Sequence, residues 1–127
     1  YCGKYLLFFP GQSVAEHMHP DVGDNKGKGE RFSPTDLMGA ALASCILTTM
    51  AIVADREQIS LEGATAEVEK EMIQVPTRRI GSLKTAVTFR TPIPEPAREK
   101  LERAALHCPV HKSLPPDIQA PISFHYV

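Results

Sequence analysis

From Leu37 to Ala54 the chain is apolar or small throughout, interrupted only by Gly39, Ser44, Thr48 and Thr49, and Asp36 and Asp55 close its ends. A run of this length reaches the lower limit for a membrane-spanning helix. Its many alanines and its acidic flanks point instead to a helix buried at the centre of a soluble protein. The chain has 127 residues, enough for one domain spanning 1–127. One sheet and two or three helices built from so few residues offer little surface to surround a helix that is apolar on every side. Left exposed, it would form a large sticky patch. A homodimer in which each subunit covers the other's helix resolves this.

Local signals place the remaining elements. Tyr5 to Phe9 and Ser13 to Met18 read as short strands around Pro10-Gly11. The chain opens on Tyr1, not methionine, so the N-terminal strand is read as truncated. The apolar run from Leu6 to Phe9 is too short for a signal sequence. Residues 20–32 form a polar, Gly-rich loop. Ser33 then suits an N-cap, Pro34 the first helical position, and Asp36 a capping-box partner, with the helix running to about Gln58. Alternation at Ala64, Ala66 and Val68, and again at Thr85, Val87 and Phe89, gives two strands paired around Pro76-Thr77-Arg78. On that reading Glu67, Glu69, Lys70 and Glu71 form a solvated strand face, and Arg78-Arg79 an exposed turn able to meet an anion. Pro94-Glu95-Pro96 starts a second helix that ends near His107. Pro109 starts a short third one, stopped by Pro115-Pro116. Ile118, Ala120, Ile122, Phe124 and Tyr126 alternate as a last strand, and Pro121 within it marks an edge. The class is α+β, a sheet with a buried helix against it.

Composition removes several function classes. The formal net charge is −1 and aromatics make up 6 % with no tryptophan. That argues against nucleic acid as partner, and against an anionic membrane surface. Three cysteines are too few, and odd in number, for a secreted disulfide scaffold. A cytoplasmic, reducing setting follows.

The cysteines carry the chemistry. Cys45 lies about three turns into the apolar helix, where the ordinary role of a thiol is packing. Cys108, before Pro109, falls at a helix N-cap, where the dipole and free N–H groups favour a thiolate. On local physics Cys108 is the better nucleophile. His107, Cys108 and His111 lie close in sequence, and His17 and His19 form another pair. Neither set has the spacing of a zinc site, so no metal and no cofactor is expected. A Cys-His hydrolase, with Cys108 activated by His107 or His111, lacks an orienting third residue. Cys2, near the chain start, is expected to stand apart.

The run Ser33-Pro34-Thr35-Asp36-Leu37-Met38-Gly39-Ala40-Ala41-Leu42-Ala43-Ser44-Cys45 resembles the helix motif of the OsmC/Ohr family, and His107-Cys108-Pro109-Val110 resembles its second cysteine motif. Arg78-Arg79-Ile80 is similar to the general OsmC-like branch. The resemblance implies an intertwined homodimer of β-β-β-α-β-β-α-α-β subunits with active sites at the dimer interface. It also implies a thiol peroxidase that reduces organic hydroperoxides, with Cys45 attacking the peroxide, Cys108 resolving, and an external dithiol restoring both. The peroxidase branch has a glutamate after the helix-start proline, paired with an arginine. This chain has Thr35 there, which leaves Arg31, Glu30, Thr35 and Asp36 as candidate supporting residues. The alternative is an OsmC-fold protein without peroxidase activity that binds a small apolar ligand in the dimer cleft.

Overall fold

The structure, a computed structural model, describes residues 2–8 and 34–127. Chain order is β1 (Cys2–Phe8), α1 (Pro34–Arg56), β2 (Thr65–Ile73), β3 (Arg79–Thr88), α2 (Glu95–Leu106), α3 (Pro109–Lys112) and β4 (Ile122–His125). The sheet has the order β1-β2-β3-β4. β1, β2 and β3 pair antiparallel, and β4 runs parallel to β3. This is the expected α+β class. The Ser13–Met18 strand, the loop 20–32, the Ser33 cap and the candidates Arg31 and Glu30 lie outside the described residues.

The helix starts follow the prolines. Pro34 opens α1, and α2 begins after Pro94 with proline in its first turn. Cys108 caps α3, and Pro109 is its first residue. α1 ends at Arg56, two residues before the expected stop, where Gln58 turns to a positive φ of 56°. The last strand is shorter than its alternation suggests. Pro121 has no N–H to donate, and before it the chain touches β3 only through a bridge between Ser82 and Gln119. Among the described strands β4 lies at the edge, as expected.

Ala66, Val68 and Lys70 of β2 alternate on one face, each fully buried, beside Leu83, Thr85 and Val87 of β3. α1 lies on this face through Leu42, Ala43, Ile46, Leu47 and Met50, and α2 adds Ala97, Leu101 and Ala105. The C-terminus is tied to α2 by Tyr126. Its ring stacks on Phe89 at 4.9 Å, Arg98 lies over it at 4.2 Å, and its hydroxyl donates to Glu102 at 2.5 Å.

One expectation needs correction. Lys70 does not belong to a solvated face: strand parity puts it with Ala66 and Val68, under α1. As expected of a chain this short, the described residues do not cover the central helix on every side. Met38 and Ile52 are 44 % and 51 % exposed, and Ala41, Ser44 and Thr48 between them are exposed too. These positions recur every three or four residues and form one stripe along α1.

Candidate active site

Two elements bring the thiols together. Helix α1 carries Cys45 at the border between its buried face and the exposed stripe, half-buried. Beside α1, the single turn of α3 presents Cys108 from its N-cap, fully buried. The two side chains lie near enough for the Cys45 thiol to act on Cys108, and both are free thiols. Positions 63 residues apart in sequence, which the spacing alone does not join, therefore lie side by side. The Thr49 hydroxyl donates to the Cys45 carbonyl at 2.8 Å and stands 4.0 Å from its sulfur.

Cys108 contradicts the expectation of a lowered pKa. Burial pushes its thiol up from 9.0 to about 11, and the Cys45 thiol adds to the rise. The backbone N–H of His111 donates to Cys108 Sγ at 3.4 Å and works in the other direction. The N-cap geometry read from the sequence is present, with φ −65° and ψ 144°. A four-residue helix has only a small dipole, however, and one N–H does not offset the loss of water around a thiolate.

The other candidates divide. Asp36 is 1 % exposed and receives Lys70 Nζ at 2.6 Å, so its carboxylate serves a buried ion pair rather than only the expected capping box. Thr35 accepts from the same ammonium at 2.8 Å. The first turn of α1 is thus pinned to β2. Lys70 was missed from the sequence, although its place in the Ala66-Val68-Lys70 alternation was a signal. Thr35 and Asp36 lie ten and nine residues before Cys45, which is roughly 14–15 Å along the helix axis. They do not touch its thiol within the chain.

His107 and His111 are engaged with backbone. His107 Nδ1 meets the Arg103 carbonyl at 2.8 Å, and His111 Nε2 meets the Ala120 carbonyl at 2.9 Å. Among the described residues, no three His, Cys, Asp or Glu side chains gather as a metal site. Arg79 pairs with Asp117 at 3.2 Å in a partly exposed bridge, which takes up one of the two arginines read as an anion site. The backbone of Cys2 lies opposite Glu71 on β1.

A family profile described as OsmC-like protein matches residues 27–121. A Psychrobacter arcticus structure, named for osmotic-stress induction and a detoxification response, is 43 % identical and superposes with a TM-score of 0.78 over 84 % of this chain and 77 % of that one. An organic hydroperoxide resistance protein OsmC from Legionella pneumophila shares the fold at 20 % identity and a TM-score of 0.67, over 82 % of this chain and 77 % of its own. The organic hydroperoxide resistance protein OhrB of Bacillus subtilis does so at 20 % identity and 0.62, over 74 % and 70 %. A short stretch of 32 residues is 53 % identical to a D-lyxose/D-mannose isomerase from Thermosediminibacter oceani, covering 25 % of this chain and 18 % of that protein. The chain thus spans under a fifth of the length of the curated relatives it matches.

Proposed function

This chain belongs to the OsmC family, and from that premise we propose that it is a thiol peroxidase acting on organic hydroperoxides through Cys45 and Cys108. One observation carries the reading: a half-buried thiol beside a buried one whose pKa is raised to about 11. The difference in exposure assigns the roles. Peroxide from solvent reaches Cys45, while Cys108 stays protonated and protected behind it.

Cys45 thiolate attacks the O–O bond of ROOH. The sulfur takes one oxygen as sulfenic acid, and the rest leaves as ROH after taking up a proton. Cys108 sulfur then attacks the Cys45 sulfur. The S–O bond breaks, the oxygen departs as water with the Cys108 proton, and a disulfide forms. An external dithiol returns both cysteines to thiols by exchange. This cycle suits a reducing compartment such as the cytoplasm.

The exposed stripe of α1 is the surface on which a second copy of the chain packs, and Cys45 borders it. The homodimer would then supply the apolar wall that favours an alkyl hydroperoxide over hydrogen peroxide. The Lys70–Asp36 pair, with Thr35 where the peroxidase branch carries glutamate, places a cation and a carboxylate at the same helix start, though not in the same residues. A slower reaction than in that branch follows, since Thr35 brings no charge of its own.

Stoichiometric thiol loss on adding cumene hydroperoxide or hydrogen peroxide tests the reading. Cys45→Ser should abolish turnover. Cys108→Ser should allow one oxidation and leave a sulfenic acid that dimedone traps. If neither thiol reacts faster than free cysteine, the reading fails and binding of a small apolar ligand takes its place.

A further inference from the structure

Helix α3 is a single turn, and none of its residues is fully buried. A turn this short has no stability of its own. Yet it must hold Cys108 against Cys45. Its internal bonds, from Lys112 N–H to the Cys108 carbonyl at 3.0 Å and from the Ser113 hydroxyl to Pro109 at 2.8 Å, only close the turn. Val110 packs against the core from one side. The polar tie that links the turn to the sheet is His111.

His111 joins the two in one continuous chain of bonds. Its backbone N–H donates to Cys108 Sγ at 3.4 Å, and its ring Nε2 meets the Ala120 carbonyl at 2.9 Å. A carbonyl only accepts, so Nε2 carries the proton. Ala120 is itself fixed, because both of its neighbours are bonded to β3. The Leu83 N–H donates to the Gln119 carbonyl at 2.8 Å, the Gln119 N–H to Gly81 at 3.1 Å, and the Thr85 N–H to Pro121 at 3.0 Å. The sheet thus holds Ala120, Ala120 holds the ring, and the same residue's N–H holds the sulfur.

We infer that His111 is a positioning residue for disulfide closure: its ring anchors α3 to the sheet, so that its own N–H aims Cys108 sulfur at Cys45. This builds on the proposed cysteine roles but concerns only the second step. When Cys108 attacks the Cys45 sulfur, charge develops on the Cys108 sulfur as its proton leaves, and the His111 N–H stabilises that charge. Without the ring anchor the turn loosens, and both the aim and the N–H bond are lost. Cys45 sits on α1 and does not depend on that anchor, so its own first reaction is unaffected.

Ellman's reagent, 5,5′-dithiobis(2-nitrobenzoate), separates the two steps without any peroxide. Cys45 thiolate attacks the reagent disulfide, and one thionitrobenzoate leaves. Cys108 then attacks the mixed disulfide at Cys45, a second thionitrobenzoate leaves, and the protein disulfide remains. Both releases are followed by absorbance under single-turnover conditions, with Cys2 replaced by serine. His111→Phe keeps the ring volume and removes the donor. His111→Gln keeps an amide N–H near the position of Nε2.

In His111→Phe the first release should stay within about twofold of the parent protein, and the second should slow about five- to tenfold, the rate equivalent of one hydrogen bond. His111→Gln should restore the second release to within about twofold, since it keeps the donor. The inference is overturned if the second release is unchanged in His111→Phe, if both releases slow together, or if His111→Gln is as slow as His111→Phe while still folded by circular dichroism. Failure of the peroxidase reading would show separately, as a parent protein that closes its disulfide with Ellman's reagent but ignores cumene hydroperoxide.

Discussion

Replacing Lys70 by methionine tests the buried ion pair directly. Lys70 is 0 % exposed and Asp36 1 %, and the two meet at 2.6 Å. Methionine fills most of the aliphatic volume of lysine but removes the ammonium that faces Asp36 and Thr35. The buried Asp36 carboxylate then loses the Lys70 ammonium. Breaking a buried pair in this way costs about 3–5 kcal/mol. Replacing both partners by apolar residues of similar size is often neutral or better. Lys70→Met/Asp36→Leu should therefore recover to within about 1 kcal/mol of the parent. Urea unfolding at pH 7, followed by far-ultraviolet circular dichroism at one fixed protein concentration, measures both, and an unchanged slope would show that the unfolding transition is the same one. A single variant within about 1 kcal/mol of the parent would refute the argument, because an ion pair this deep cannot lose one member cheaply. A double variant as unstable as the single one would also refute it, since the loss would then come from packing.

Other outcomes follow from the same geometry. Cys108 has a folded pKa of about 11 against 9.0 unfolded, so folding favours its thiol form. The stabilisation is complete below pH 9 and is lost as pH rises through 11, relative to Cys108→Ala, by about 2–3 kcal/mol. Iodoacetamide at pH 8 should modify Cys45 first, with Cys108 protected until the chain unfolds; mass spectrometry of the labelled peptides reads the order. A charge at Ile52 or Ala41 on the exposed stripe should shift the proposed dimer towards monomer in sedimentation without unfolding it at low temperature. Gly81→Ala would place a Cβ 2.5 Å from Ile73 Cγ2, and overpacking of that kind costs about 1–3 kcal/mol in thermal or urea unfolding.

How far the fold could be read in advance depended on the type of signal. Pro34, Pro96 and Pro109 marked three helix starts, because proline lacks the N–H that a helix interior needs. The β2–β3 hairpin was legible because alternation fixes both a strand and its face. Lys70 shows where residue type misled. Its parity put it with Ala66 and Val68 on the buried face, but lysine is rarely buried and was assigned to solvent. The tertiary placement of Asp36 and Thr35 above it makes the burial tolerable. The parallel pairing of β4 with β3 had no local signal, since register between distant strands is set by packing.

The cysteine pair shows a second limit, and a physical reason for it. Sequence located the Cys108 N-cap, and the N–H it predicted is present, donated by His111. It could not give depth below the surface, and depth decides the sign of the pKa shift. On the proposed roles that sign is useful. A thiol of pKa about 11 is almost wholly protonated near neutral pH, so peroxide in solution finds little thiolate at Cys108 to oxidise. Once Cys45 carries a sulfenic acid, the high pKa becomes an advantage, because intrinsic thiolate nucleophilicity rises with pKa. The attacking sulfur already lies beside Cys45, and the departing hydroxide accepts its proton. Burial thus keeps Cys108 unreactive towards external oxidant while leaving it competent towards the neighbouring sulfur. A site built on the local helix dipole alone would have reversed that order.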